Sequence, residues 1–88
     1  MSEQITMRAK MRVTEVNRFE QSDRIKMVAV AKSGSYPADG QDEDNTYAKF
    51  SPQGELTLTI ANPALLGKIE PGTRFYLDFT PADPAPTA

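Results

Sequence analysis

Four carboxylates lie close together near the middle of the chain and are the first candidates for chemistry. They are Asp39, Asp42, Glu43 and Asp44. Carboxylate oxygens in a loop are ligands that Ca²⁺ prefers, but an EF-hand loop also needs a glycine at its sixth position and a glutamate at its twelfth. No register of this segment supplies these together. We therefore predict no metal site, and an acidic loop that meets either a basic partner or the cations of its own chain.

The residues that most often carry catalysis are missing. The chain has no cysteine and no histidine, which removes the thiolate nucleophile, the commonest general base and the commonest zinc ligand. A catalytic carboxylate pair needs two acids that face each other, one of them desolvated. All acids here fall in predicted loops or on polar strand faces. We predict that the protein is not an enzyme, has no catalytic residue and uses no cofactor.

The cations are concentrated in the first third of the chain. Residues 1–32 carry seven cations and four acids, whereas residues 33–88 carry three cations and eight acids, for a net charge of −2. From Ile5 to Val13 apolar and polar residues alternate strictly, and three of the four polar positions are Arg or Lys. Such alternation is typical of a β-strand with one buried face. The cations therefore share the opposite face.

A period of two dominates the rest of the chain and predicts five strands. They are Ile5–Val13, Arg24–Lys32, Tyr47–Phe50, Glu55–Ile60 and Arg74–Thr80. The first two strands form an antiparallel hairpin with a bulge near Glu15–Val16, where the alternation changes phase, and the third and fourth form a second hairpin. The segment Ser33–Thr46 is a loop. Asn62–Gly67 has the cap and stop residues of one helical turn, and Gly72 suits a type II turn.

The predicted fold class is all-β, because five short strands cannot bury two faces as an open sheet. We expect a small five-stranded barrel over residues 1–80, followed by a Pro/Ala-rich disordered tail over residues 81–88. An SH3-like barrel is preferred because the helical turn precedes the last strand; an OB-like barrel and a small sandwich are the alternatives. The predicted core consists of Ile5, Met7, Met11, Val13, Ile25, Met27, Phe50, Leu56, Leu58, Ile60, Leu65, Leu66, Ile69, Phe75, Leu77 and Phe79.

Pairing of the first two strands brings their outward side chains onto one surface. The predicted binding face consists of Arg8, Lys10, Arg12, Arg24, Lys26, Val28, Val30, Lys32 and Tyr76. A basic strand surface with stacking aromatics binds single-stranded nucleic acid; alternatively, its cations pair with acids of the same chain. The two valines either centre a protein interface or lie under the Ser33–Thr46 loop.

The C-terminal half resembles small proteins of unassigned function encoded in tailed-phage genomes. The shared pattern is Phe-x-Pro-x-Gly, then Leu-x-Leu-x-Ile, Asn-Pro-Ala, and Pro-Gly-x-x-Phe-Tyr-Leu-x-Phe. In this chain it comprises Phe50, Pro52, Gly54, Leu56, Leu58, Ile60, Asn62, Pro63, Ala64, Pro71, Gly72, Phe75, Tyr76, Leu77 and Phe79. These are mostly turn and core positions, so the resemblance implies a fold and a phage origin, and it assigns no functional residue.

These observations favour a non-enzymatic, phage-derived small β-barrel that binds a protein partner, from the phage or the host, or associates with itself. It would be a virion or replication accessory, or an inhibitor of a host system. The alternative is a module that binds single-stranded nucleic acid weakly. The first residues lack the apolar core of a signal peptide, and no apolar run is long enough to span a membrane. We expect the host cytoplasm or the virion as its location.

Overall fold

Residues 6–82 are described in a computed structural model of the chain and form one antiparallel β-sheet. Its four strands are β1 (Met7–Arg18), β2 (Asp23–Ala29), β3 (Glu55–Ile60) and β4 (Arg74–Phe79). The strand order is β3-β2-β1-β4, so β1 and β2 are central, β3 and β4 are the edges, and the sheet curls into a half-barrel. The all-β class is confirmed, with four strands where five were predicted.

The predicted hairpin and bulge are both confirmed. Val13 lies opposite Met27, but the next pair is Glu15 opposite Lys26, which leaves Thr14 as the extra residue. A single extra residue shifts the alternation by one position. Val16 consequently faces Ile25 on the apolar side of the sheet, although its parity along the chain is wrong for that side.

The predicted strand Tyr47–Phe50 and its hairpin are wrong. Residues 47–50 form turns and bends, Phe50 has a φ of 60°, and β3 pairs with β2 instead. A left-handed φ at Phe50 is incompatible with an extended strand. The residue before this segment instead bonds to the start of β1, where the Thr46 N–H donates to the Arg8 carbonyl at 2.9 Å.

The helical turn predicted over Asn62–Gly67 is also wrong, because the segment forms successive non-helical turns. Asn62 does receive the Ala64 N–H on its side chain at 3.0 Å, and Gly67 does have a positive φ of 77°. The Gly67 N–H, however, donates to a carboxylate oxygen of buried Asp23 on β2 at 2.7 Å. The turn predicted at Gly72 is confirmed, with a φ of 95° there and a Thr73 N–H to Glu70 carbonyl bond of 3.2 Å.

The buried core is smaller than predicted and belongs to the two central strands. It consists of Ala9, Met11, Val13, Ile25 and Met27. Predicted core residues on the edge strands, in the loops and at the start of β1 remain 38–51% exposed, namely Met7, Phe50, Leu58, Leu65, Phe75 and Phe79. Those on the strands do lie on the apolar face, but the half-barrel leaves that face uncovered. Ile5 and the tail from residue 83 lie outside the described residues.

Candidate binding surfaces

Asp42 organises the acidic loop from within. Its side chain is 1% exposed, and one oxygen accepts the backbone N–H groups of Asp44 at 3.0 Å and Asn45 at 3.1 Å. The other oxygen accepts the Asn45 side-chain amide at 3.2 Å and the Tyr36 hydroxyl at 3.3 Å. A carboxylate that accepts this many bonds is an internal cap, so Asp42 shapes the loop and has no free oxygen for a ligand.

Asn45 attaches this loop to the sheet. Its side chain is fully buried, and its amide donates to the Val30 carbonyl at 2.8 Å while its carbonyl oxygen accepts the Lys10 N–H at 2.8 Å. The hydroxyl of Thr46 accepts the Arg8 N–H at 2.8 Å. Side chains of the loop therefore bond to the backbone of β1 where a further strand would otherwise pair. We call Asp42, Asn45 and Thr46 the loop latch.

The ionisation of Asp42 is set by two opposing causes. Burial alone would raise the pKa of its carboxyl group, because a buried charge loses hydration. The hydrogen bonds from Asn45, Asp44 and Tyr36 favour the carboxylate more strongly, and the pKa lies below its ordinary value. The pKa of Tyr36 is raised by burial and by the adjacent carboxylate. Asp42 of the loop latch is therefore a charged carboxylate at neutral pH.

Two cations of the predicted binding face are paired with the acidic loop. The Lys10 ammonium lies 3.4 Å from the Asp44 carboxylate, and each side chain is only 15% exposed. Lys32 pairs with Glu43 at 3.2 Å. The Tyr76 hydroxyl donates to the second Asp44 oxygen at 3.1 Å. Of the two sequence-based alternatives for the acidic loop, the structure places it against the cations of its own chain.

Arg8 is also paired within the chain. Its guanidinium donates to both oxygens of Asp78, at 2.6 and 3.2 Å, and lies 4.6 Å from the centroid of the Tyr76 ring. The hydrogen bond and the charge of Asp78 raise the pKa of Arg8, and the Arg8 bond lowers the pKa of Asp78. The aromatic residue predicted to stack on bases is therefore held between Arg8 and the acidic loop.

Four cations of the outer sheet face have no ion-pair partner among residues 6–82. They are Arg12, Arg24, Lys26 and Arg74, all exposed. Arg74 was not in the predicted face. It joins the face because β4 pairs with β1 and sets Arg74 directly opposite Arg12. We call these four residues the basic strip.

The predicted valine patch is only partly accessible. Val28 and Val30 are both half-buried. Val28 lies between Arg12 on β1 and Glu55 on β3, and the carbonyl of Val30 is taken by Asn45. This corresponds to the second sequence-based alternative for the valines, in which the chain itself covers much of their surface.

Sequence reasoning missed an open apolar trough on the inner side of the half-barrel. Its cavity of about 320 Å³ is lined by Ile25, Met27, Leu56, Leu58, Ile60, Leu65, Ile69, Phe75, Tyr76 and Leu77. Its walls come from the two edge strands, β3 and β4, and its floor from β2. The alternation of apolar and polar residues did identify the apolar face. The sequence signal for an incomplete barrel was the third predicted strand, which is only four residues long.

An ion-pair network closes one end of the trough and was also missed. Asp23 is 4% exposed and binds an Arg18 nitrogen at 2.7 Å and the Gly67 N–H at 2.7 Å. Arg18 further donates to the Ile69 carbonyl at 2.9 Å and to Glu70 at 2.8 Å. These bonds hold the β3–β4 connection across the sheet, and Arg18 compensates the negative charge of Asp23.

A smaller cavity of about 160 Å³ continues the apolar face at the other end, beside Met7, Tyr47 and Phe79. The Tyr47 hydroxyl there is buried with no hydrogen-bond partner among the described residues. Burial, and then the charge of Asp42, raises the pKa of Tyr47. The apolar face therefore extends along the whole length of the sheet.

Other kinds of site find no support in the described ranges. Within residues 6–82 no three His, Cys, Asp or Glu side chains are grouped so as to hold a metal ion, and no helix has the length and apolar character to cross a bilayer. Compared with known proteins, the chain matches no family model, no curated protein and no solved structure.

Proposed function

We propose that the chain is a non-enzymatic protein-binding module whose apolar trough receives an apolar protein surface. The observation that carries this proposal is the trough itself, a cavity of about 320 Å³ whose ten lining residues are all apolar or aromatic. Exposed apolar surface of this extent on a small protein marks an interaction site. The resemblance to tailed-phage proteins favours a virion or replication accessory, or an inhibitor of a host system.

The trough supports this role better than the outer sheet face does. On the outer face, Arg8, Lys10 and Lys32 already have carboxylate partners in the same chain. In the trough, Leu58 and Phe75 remain 46% and 38% exposed. Contacts that desolvate such side chains contribute roughly 25 cal/mol for each Å² removed from water. Binding through the trough therefore gains free energy without breaking an ion pair, whereas binding through Arg8, Lys10 or Lys32 would first break one.

A capture experiment with matched variants tests the proposal. The tagged chain, a Leu58→Lys variant and a Thr57→Lys variant would be compared for the proteins that they retain from host and phage-infected lysates. Both substitutions lie on β3, but residue 58 faces the trough and residue 57 faces outward. We expect Leu58→Lys to lose the retained proteins and Thr57→Lys to keep them.

The opposite pattern, with loss only in Thr57→Lys, would move the binding site to the outer face. The proposal would be overturned if the unmodified chain retained no protein and also stayed monomeric at high concentration. Self-association must also be measured, because the protein partner could be a second copy of the chain.

Weak binding of single-stranded nucleic acid is a second candidate function, favoured by the basic strip. Arg12 and Arg74 lie directly opposite each other across β1 and β4. Like charges in such positions destabilise a sheet, and a phosphate between them would relieve the repulsion. Tyr76 is held by Arg8 and Asp44, so stacking contributes less than the sequence indicated.

Fluorescence anisotropy with a labelled oligonucleotide in a salt series tests this second candidate. Three or four phosphate contacts give a slope of log affinity against log salt of roughly −2 to −3 for a single strand. We expect Arg12→Ala to make that slope shallower and Lys10→Ala to leave it unchanged, because Lys10 is paired with Asp44. Absence of binding at low salt would exclude this function.

A further inference from the structure

We infer that the partner in the trough is a second copy of this chain, with β3 of each copy beside β4 of the other. This inference rests on the proposed function and names its occupant. Two half-barrels joined in this way form a closed eight-stranded barrel with a two-fold axis along its length. The apolar side chains that line the trough then become the interior of that barrel, whereas Tyr76 keeps its hydrogen bond to Asp44 on the outer face.

Strand directions favour this arrangement. All pairs in the sheet are antiparallel, so β3 runs with β1, and β4 runs against it. A two-fold axis along the barrel preserves directions, so β3 meets the partner copy's β4 antiparallel on both sides. A single inserted strand from another protein would be antiparallel to one edge and parallel to the other, which is a less stable combination.

Both edges are available for this pairing. Within the described part of the chain, β3 pairs only with β2 and β4 pairs only with β1. An exposed edge strand has a row of unpaired N–H and C=O groups, and closure into a barrel removes both edges at once. The second copy therefore satisfies backbone groups as well as apolar side chains.

The size of the barrel matches the side chains that would fill it. An eight-stranded barrel has an interior just wide enough to be filled by side chains. The apolar face supplies large residues from every strand, for example Met11, Ile25, Leu58 and Phe75. Residues 6–82 form a single sheet layer, whereas stable domains have two packed layers.

The exposed area of the apolar face is sufficient for a concentration-dependent dimer. Five of its side chains remain 38–47% exposed, namely Met7, Leu58, Leu65, Phe75 and Phe79. Together they leave roughly 400 Å² of apolar surface, since an aromatic side chain has about 150–250 Å². Half-buried Leu56, Ile60 and Leu77 and the two edge backbones add to this area. The interface is therefore smaller than the ~800 Å² per partner of a standard interface, and we expect the dimer to form at high protein concentration.

Charges at the two edges are complementary. Glu55 on β3 and Arg74 on β4 occupy the two ends of one row across the sheet, a row that also contains Arg12 and Val28. Joining β3 to the partner's β4 brings the edge that carries Glu55 beside the edge that carries Arg74. The net charge of −2 per chain is small enough that repulsion between two copies is weak.

Mass measurement by light scattering, from micromolar to near-millimolar concentration, tests whether a second copy binds. We expect a mass twice the 9.7 kDa of one chain. Leu58→Lys should raise the dissociation constant of the dimer by roughly a hundredfold, because an ammonium group would be buried unpaired. Thr57→Lys is the matched control and should leave the dimer intact. Because Leu58 is 46% exposed in the single chain, we expect its lysine variant to fold. Circular dichroism checks that it does.

The absence of cysteine from the sequence permits a second test that reports which strands meet. A Thr57→Cys variant and an Arg74→Cys variant would be prepared separately, mixed, and treated with a short bis-maleimide. We expect a covalent dimer in the mixture and little in either variant alone, since β3 then lies beside the partner's β4. Equal cross-linking in the separate variants would overturn the arrangement.

A constant mass of 9.7 kDa at every concentration would overturn the second-copy inference by itself. The proposed function would survive that result if the lysate experiment still retained a protein that Leu58→Lys loses. Failure of both measurements would overturn both proposals.

Discussion

The two faces of this sheet meet their physical requirements in different ways. On the outer face, loop carboxylates neutralise Lys10 and Lys32, and Asp78 binds Arg8 through both of its oxygens. On the inner face, the central strands bury their side chains, but Leu58 of β3 and Phe75 of β4 remain 46% and 38% exposed. Much of the charge on the outer face is therefore compensated within the chain, whereas the apolar side chains on the edge strands remain partly uncovered.

The physical reason for the contrast is the length of chain that each requirement involves. A lysine needs one carboxylate, and a single loop such as 33–46 can bring it. An apolar sheet face needs a whole second layer, and residues 6–82 provide only the turns around Leu65 and Ile69 on that side. The unmet requirement is therefore apolar.

The largest expected effect is the difference in lost stability between a substitution in the buried centre of the inner face and one in its open walls. Ile25→Ala should lower the free energy of unfolding by about 2–5 kcal/mol, because Ile25 is 2% exposed and a cavity would remain. Leu58→Ala on the wall should cost about 1 kcal/mol or less in an isolated chain. Chemical denaturation at two protein concentrations measures both. A cost at Leu58 as large as that at Ile25, and independent of concentration, would show that one chain covers its own trough.

The next effect concerns the loop latch. Asn45→Ala should cost about 1–3 kcal/mol, because it leaves the Val30 carbonyl and the Lys10 N–H without their buried partner. Hydrogen exchange should show faster exchange at the amides of Arg8 and Lys10. Asp39→Ala is the control, since Asp39 is exposed and, among residues 6–82, accepts only the nearby Gln41 N–H. Unchanged protection at Lys10 in the Asn45 variant would contradict the latch.

A smaller effect follows from pH. Asp42 has a lowered pKa in the folded chain, so its contribution to stability is complete above the unfolded value of about 3.9 and is lost as pH falls through the folded value. Stability of the loop latch should therefore be constant from about pH 5 to pH 8 and decline below about pH 4. Acid titration followed by circular dichroism should show a weaker acid dependence in Asp42→Asn. An equal dependence in both proteins would assign the acid response to other groups.

The smallest effect is expected at the exposed ion pair on the outer face. Asp78→Asn should change the unfolding midpoint very little, because Arg8 and Asp78 are 43% and 57% exposed and exposed pairs contribute little. Asp44→Asn should cost more, since Asp44 and Lys10 are each only 15% exposed. Denaturation at low and high salt compares the two pairs. A larger loss in Asp78→Asn would reverse this ranking.

Local features of the fold could be predicted because they depend on neighbouring residues. The change of phase near Glu15 indicated the bulge, and Gly72 indicated a turn that needs a positive φ. The strand predicted at Tyr47–Phe50 failed for a non-local reason, because its predicted partner β3 pairs with β2 and the adjoining Asn45 and Thr46 bond to β1. The candidate surfaces follow the same rule. Arg12 and Lys26 were placed on the outer face correctly, whereas Arg74 joined them only through the pairing of β4 with β1.

The sequence by itself determines which side chains share a face of the sheet, because alternation is a property of each extended strand and needs no information about its neighbours. Only the tertiary structure decides which faces are covered. Coverage depends on contacts between distant segments, such as Asn45 with Lys10 and Gly67 with Asp23. Those contacts bring the acidic loop onto the cations of the outer face and leave the apolar trough open between β3 and β4.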